Sequence, residues 1–149
     1  MKKEINTFYV LNLLSIIDGE ILESTHVDIS KYVGLDISTE KGQKAIINEL
    51  LKPEMLNFSI ENQEKIRISM LYCIENYDEI KLENILNFYS GSVFLMPSNS
   101  ITYKEILEIF YTGVFFKNIN NEELNNFIFF ENDDPKCWNL FDKQQWVKF

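Results

Sequence analysis

A mainly α, single-domain fold is predicted by three observations. Apolar residues recur at helical spacing along most of the chain, helix-start grammar appears repeatedly, and no tract rich in proline or glycine divides it. The chain has 149 residues, 46% apolar and 25% charged. A domain of this size buries about 68–70% of its unfolded surface, so it needs neither a metal nor a disulfide to hold a core. Pro53, Pro97 and Pro135 fall between apolar segments and punctuate them.

Val10, Leu13, Leu14, Ile17 and Ile21 follow helical spacing, and Gly19 is placed to end or bend that first helix. A strand over residues 7–17 is the competing reading, and the length of the run favours helix. Residues 20–37 leave the element open, with a short helical turn over 28–33 closed by Gly34. From about Thr39 to Leu51, Ile46, Ile47, Leu50 and Leu51 share one face, and the helix is expected to stop before Pro53. Ser59 caps a long helix over residues 60–77, with Ile66, Met70, Cys73, Ile74 and Tyr77 inward and Glu61, Gln63, Glu64 and Lys65 outward. Asp78 either caps a new helix or continues the old one. Leu82, Ile85, Leu86 and Tyr89 then face inward until Gly91.

The clearest local signals come later. Thr102 and Glu105 form a capping box with an Ile101 to Ile106 staple, and Gly113 with Val114 is expected to close that helix against Ile109. Asn120 repeats the start grammar with an Ile119 to Leu124 staple and opens a helix to about Phe130. Asp134 and Pro135 read as a cap and a first-turn proline for a last short helix bearing Trp138 and Phe141. The β-prone runs 93–96 and 114–116 are candidates for a minor β ribbon. The sum is one compact helical domain, residues 1–149, of about six or seven helices.

Charge narrows the function. Fourteen Lys and Arg against 23 Asp and Glu leave a net charge of −9, the reverse of what a duplex-DNA binder needs. Only one cation, Arg67, is an arginine. The apolar stretch from Phe8 to Ile17 is interrupted by Asn12 and Ser15 and ended by Asp18, so neither a signal peptide nor a membrane span is expected. Cys73 and Cys137 are too few and too far apart for a disulfide framework or a zinc cluster, and the expectation is a cytoplasmic protein with reduced thiols. Abundant Ile, Asn, Lys, Glu and Phe beside the single alanine, Ala45, point to an AT-rich, microbial or phage coding sequence.

No catalytic residue, cofactor site or metal site emerges. His26, the one histidine, sits outside any strong element, and Cys73 lies on an apolar stripe where an inert packing thiol is the usual occupant. Cys137, beside Lys136 and Trp138, suits packing as well as it suits reactivity. The five glycines never cluster, so no phosphate-cradling loop is present, and Asn132, Asp133 and Asp134 read as a solvated helix start. What stands out is acidic geometry. Glu75, Glu79 and Glu83 are spaced by four, with Asp78 beside them, and a continuous helix over 60–89 would line them on one edge. Such like-charge pairs cost a helix about 0.2–0.5 kcal/mol each, relieved here in part by Lys81. Glu122, Glu123, Asp133 and Asp134 extend the acidic set. Phe115, Phe116, Phe129, Phe130, Trp138, Phe141, Trp146 and Phe149 crowd the last third, and two or three of them exposed among acids would anchor an interface.

In these features the chain resembles the immunity proteins of bacterial polymorphic toxin systems, including contact-dependent growth inhibition. The resemblance is one of character over the whole length: a small acidic domain with no catalytic motif, the Glu75, Glu79 and Glu83 stripe, and scattered aromatics. It implies tight one-to-one binding to a cognate protein toxin, often a basic nuclease whose site an acidic surface blocks. The partner-binding residues expected from spacing are Glu75, Asp78, Glu79, Glu83, Glu122, Glu123, Asp133 and Asp134. No cofactor, metal, direct nucleic-acid contact or membrane contact is expected. The alternatives are a phage or plasmid regulator or adaptor that binds a host protein, and a small carboxylate-dependent hydrolase.

Overall fold

The helical pattern is set aside at the first ordered residues. In the computed structural model, which describes residues 1–18, 29–87 and 101–141, Lys3–Asn6 forms strand β1. A 3₁₀ turn (Thr7–Val10), a single α turn (α1, Leu11–Leu14) and a second 3₁₀ turn (Ser15–Ile17) follow in place of the one helix expected there. Ser69 explains the tight first turn. Its hydroxyl donates to the Thr7 carbonyl at 2.6 Å and accepts from the Val10 N–H at 2.9 Å, occupying groups that an α-helical ladder would use.

Thr39 caps α2 (Glu40–Ile46), accepting from the Gly42 N–H at 3.1 Å. The helix does not stop before Pro53. It widens into a π turn over Ile47–Leu51 and runs on as α3 (Lys52–Met55), with the Lys52 N–H reaching the Ile47 carbonyl five residues back. Proline lacks an N–H and clashes with the carbonyl four residues earlier, and a wider turn relieves both demands. Ile46, Ile47, Leu50 and Leu51 are buried as their spacing requires.

Ser59 caps the long α4 (Ile60–Asn76) through the Asn62 N–H at 3.1 Å. At Tyr77 and Asp78 the backbone becomes extended, and Asp78 caps a new helix, α5 (Glu79–Leu86), through the Lys81 N–H at 2.8 Å. The continuous edge over 60–89 therefore does not exist. Thr102 caps α6 (Tyr103–Phe115) through the Glu105 N–H at 3.1 Å. This helix passes Gly113 and ends on Phe116, whose φ of 55° is left-handed. Gly113 lies inside the helix with Ile47 against it: an added Cβ would sit 2.7 Å from Ile47 Cδ1.

Residues 114–116 thus belong to α6 and its cap, and the expected ribbon partner 93–96 lies outside the described residues. The actual ribbon pairs β1 in parallel with β2 (Phe127–Phe130), in the register Lys3 with Phe127 to Asn6 with Phe130. The helix expected from Asn120 to Phe130 is accordingly a 3₁₀ stretch, Asn121–Asn126, leading into β2. Asn120 still acts as its cap. Asp134 and Pro135 open α7 (Pro135–Trp138) as expected. Gly34 closes the turn Ile29–Lys31 region with a φ of 78°. Gly19, Ile21, His26, Tyr89, Gly91, Trp146 and Phe149 lie outside the described residues.

The architecture is mainly α, seven α-helices among the described residues, with a two-stranded ribbon. α4 runs through the middle, its Ile66, Met70, Leu71, Cys73 and Ile74 packed in one core with Leu13, Leu14, Leu51, Leu82, Phe110 and Tyr111. Each such side chain, once fully buried, contributes about 1.5–3 kcal/mol of transfer free energy.

Candidate partner-binding surface

Residues 116–137 contain no buried side chain, although they pass directly over the central helix. Their sequence dictates this: asparagines and acids alternate with short apolar runs that lack a helical period. Between residues 118 and 135 there are five acids, Glu122, Glu123, Glu131, Asp133 and Asp134, and no lysine or arginine.

Polar contacts fix the segment along α4. At one end Arg67, only 4% exposed, donates Nε to Glu64 Oε2 at 2.9 Å, Nη1 to the Tyr111 hydroxyl at 2.7 Å and Nη2 to Glu123 Oε2 at 2.6 Å. Burial disfavours its charge, and the hydrogen bonds to Glu64, Glu123 and Tyr111 outweigh that, holding the guanidinium above its ordinary pKa. Farther along, Asn121 Nδ2 donates to Glu75 Oε2 at 2.6 Å. Glu131 accepts from the Tyr77 hydroxyl at 2.8 Å and from Lys81 Nζ at 2.7 Å, and these two bonds hold its carboxyl below the usual range. Asn6 finishes the path, donating to the Asn132 carbonyl at 3.0 Å and accepting from the Phe8 N–H at 3.0 Å.

Aromatic rings fill the space between strand and helix. Phe129 stacks on Tyr72 of α4 with centroids 4.2 Å apart, Tyr77 meets Tyr72 edge-on at 6.0 Å, and Lys81 Nζ lies 4.0 Å from the centre of the Tyr77 ring. Burial above all, then the neighbouring Cys73 and Glu131, leaves the Tyr77 phenol far above its ordinary pKa, while its hydrogen bond to Thr7 acts the other way. On the other face of β2, Ile128 and Phe130 are 50% and 40% exposed. Glu4 stands beside Ile128 in the ladder.

The expected acids fall into two groups. Glu75, Glu122, Glu123, Asp133 and Asp134 lie on or against this segment, Glu75 joined to it through Asn121. Glu123 is drawn inward by Arg67, and Asp134 caps α7 through the Lys136 N–H at 3.0 Å. Asp78, Glu79 and Glu83 belong to α5. Glu79 is committed there, its two carboxylate oxygens accepting the Tyr103 N–H at 2.8 Å and the Lys104 N–H at 3.0 Å at the start of α6. Sequence reasoning missed Glu131, Tyr72, Tyr77 and Ile128 as members of the surface. The run Phe127 to Phe130 is apolar throughout, so it carries no alternation from which an exposed face could be read.

Cys73 is buried with its Sγ 3.6 Å from the Thr7 carbonyl, and burial pushes its thiol well above the ordinary range. Cys137 is exposed. Among the described residues no group of three or more His, Cys, Asp or Glu could hold a metal ion, and no helix is long and apolar enough to cross a membrane. No family model, curated protein or solved structure matches the chain.

Proposed function

We propose that this protein is an inhibitor of the immunity type, which neutralises a cognate basic toxin, a nuclease domain, by tight one-to-one binding. One observation carries the reading: a strap of residues, 116–137, with no buried side chain, presents Ile128 and Phe130 between Glu122 on one side and Glu131, Asp133 and Asp134 on the other. Exposed aromatic and branched side chains supply desolvation energy at the centre of an interface, while a one-signed rim steers an oppositely charged partner and raises its capture rate. A nuclease cleft lined with Lys and Arg for phosphates has the complementary charge. Inhibition by this route is physical: the acids occupy the cations that the substrate needs.

The test begins with co-purification from the native cell of the polypeptide encoded directly upstream. A stoichiometric basic partner that survives high-salt washing supports the reading; recovery of no partner removes it. With that partner in hand, Glu122→Lys combined with Asp133→Lys is expected to slow association about tenfold in low salt and to flatten its salt dependence. An unchanged rate would take the strap out of the interface. Glu79 and Glu123 are unsuitable for this substitution, because their carboxylates hold α6 and Arg67.

A further inference from the structure

One end of the helical bundle lies away from Ile128 and Phe130. Arg67 on α4 meets Tyr111 on α6, and Glu79, just past α4, holds the first N–H groups of α6. The two helices are therefore antiparallel, and the start of α4 stands beside the end of α6. α3 reaches the same place, where Lys52 Nζ lies 4.5 Å from the centre of the Phe116 ring. Among the described residues other than Met1, the three most exposed large apolar side chains sit on these helix ends: Leu56 at 82%, Ile60 at 81% and Phe116 at 78%. Leu56 is one helical turn from Lys52 and shares its face. Ile60 opens α4 and Phe116 closes α6. β2, packed on Tyr72, lies about 18 Å farther along α4, so this is a second surface.

Phe116 is held there at a conformational cost. Its φ of 55° is left-handed, a conformation that glycine or asparagine usually supplies after a helix, and an exposed ring recovers nothing by burial. Charge defines what fits the trio. Glu61 is paired with Lys3 at 3.5 Å and Lys65 at 3.9 Å, and Glu64 is paired with Arg67. The Arg67 hydrogen bonds first, with the charges of Lys117 and Lys3 among the lesser causes, hold the Glu64 carboxyl below its ordinary range, so Lys117 stands at this end too. Lys52 and Lys117 form no ion pair with a described acid. Two unmatched ammonium groups thus flank Leu56, Ile60 and Phe116. Holding a protein on an anionic lipid surface takes a cluster of about 4–8 cations, and two do not suffice. A second copy meeting this one end to end would set the lysines against each other. A different protein can aim a carboxylate at each lysine around an apolar centre. We propose that this end of the bundle docks a second protein partner, through an apolar patch on that partner rimmed by Asp and Glu. The proposal goes beyond the inhibitor reading and does not depend on it.

The test puts p-benzoylphenylalanine in place of Phe116, which keeps an aromatic ring at the site and cross-links what lies against it on irradiation. The full chain carrying it is made in the native cell. A control carries the same group in place of Ile80, 72% exposed on α5 at the opposite end. A discrete adduct is expected from the first chain and none of the same mass from the control. Mass spectrometry is expected to place the cross-link among apolar residues of the captured protein that are flanked by Asp or Glu. Lys52→Glu with Lys117→Glu is expected to cut the adduct at least about tenfold, in a chain whose circular dichroism is unchanged. Changing the flanking carboxylates of the captured protein to Lys is expected to restore it. Lys52→Arg with Lys117→Arg keeps the charge and is expected to keep the adduct. No adduct, or an adduct indifferent to the charge reversal, overturns the proposal. So does an adduct to lipid, to a second copy of this chain, or to the basic partner of the strap.

Discussion

Arg67 joins three elements through one buried guanidinium. It ties α4 to α6 through Tyr111 and to the 3₁₀ stretch Asn121–Asn126 through Glu123, while Glu64 satisfies the rest of its fork. Removing Arg67 leaves the buried Tyr111 hydroxyl unsatisfied, which costs about 1–3 kcal/mol, while the partly exposed Glu64 and Glu123 carboxylates are met by water. Arg67→Met is therefore expected to lower the unfolding free energy from urea titration by that amount and to speed amide exchange in residues 121–126; a substitution without effect would mean that the Tyr111 hydroxyl finds another partner. Glu54 is the opposite case. It is 8% exposed, it accepts from Asn57 Nδ2 at 3.1 Å, and burial raises its pKa above the usual carboxylate value. Below the unfolded-state pKa it is protonated in both states and costs nothing. As pH rises past that value the unfolded chain ionises first, and stability falls until the folded-state pKa is passed. Glu54→Gln keeps the acceptor for Asn57 and abolishes ionisation. Thermal melts should show the variant matching the wild type in acid and exceeding it at neutral pH. A constant difference at every pH would mean that packing, not charge, separates them.

At the scale of elements, close approach overrides propensity at Gly42. It lies in the first turns of α2, where alanine would ordinarily gain about 0.8–1 kcal/mol. Here an added Cβ would sit 2.1 Å from the Asp36 carbonyl oxygen, a backbone atom with nowhere to yield. Gly42→Ala is expected to destabilise by about 2 kcal/mol or more in denaturant titration, a reversal of sign that helix propensity alone would not give. The same contrast explains which elements were legible in the sequence. Caps at Thr39, Ser59, Asp78, Thr102, Asn120 and Asp134 are local chemistry, a side-chain oxygen and an N–H two or three residues on, and they stand where the residue types place them. What defeated the reading is long-range. Ser69 divides the first helix from 62 residues away, Gly113 is packed against Ile47 inside α6, and β2 finds its partner at the far end of the chain. The acids of the candidate surface were legible as composition. Their allegiances were not, because Arg67, Asn121 and the α6 N-terminus are recruited only by the fold.

For the molecule as a whole, charge is set against the exposed apolar pair Ile128 and Phe130. The described ion pairs lie mostly between exposed side chains, Lys44 with Glu40 and Lys81 with Glu131 among them, and such pairs contribute about 0–1 kcal/mol each. They do not offset a net charge of −9. Two copies approaching through β2 would bring Glu122, Glu131, Asp133 and Asp134 of each together, and at neutral pH that repulsion is expected to oppose their association. The protection depends on pH. Near the isoelectric point of about 4.6 the net charge vanishes while Phe127–Phe130 stays apolar, so edge-to-edge association becomes favourable. Light scattering at matched protein concentration is expected to show a monodisperse chain at pH 7.5 and growing particles near the isoelectric point. Ile128→Lys with Phe130→Lys should suppress that growth, because it places like charges on the strand itself and raises the isoelectric point. If the double variant assembles as readily as the wild type when each is brought to its own isoelectric point, β2 is not the contact, and the acids around it guard nothing.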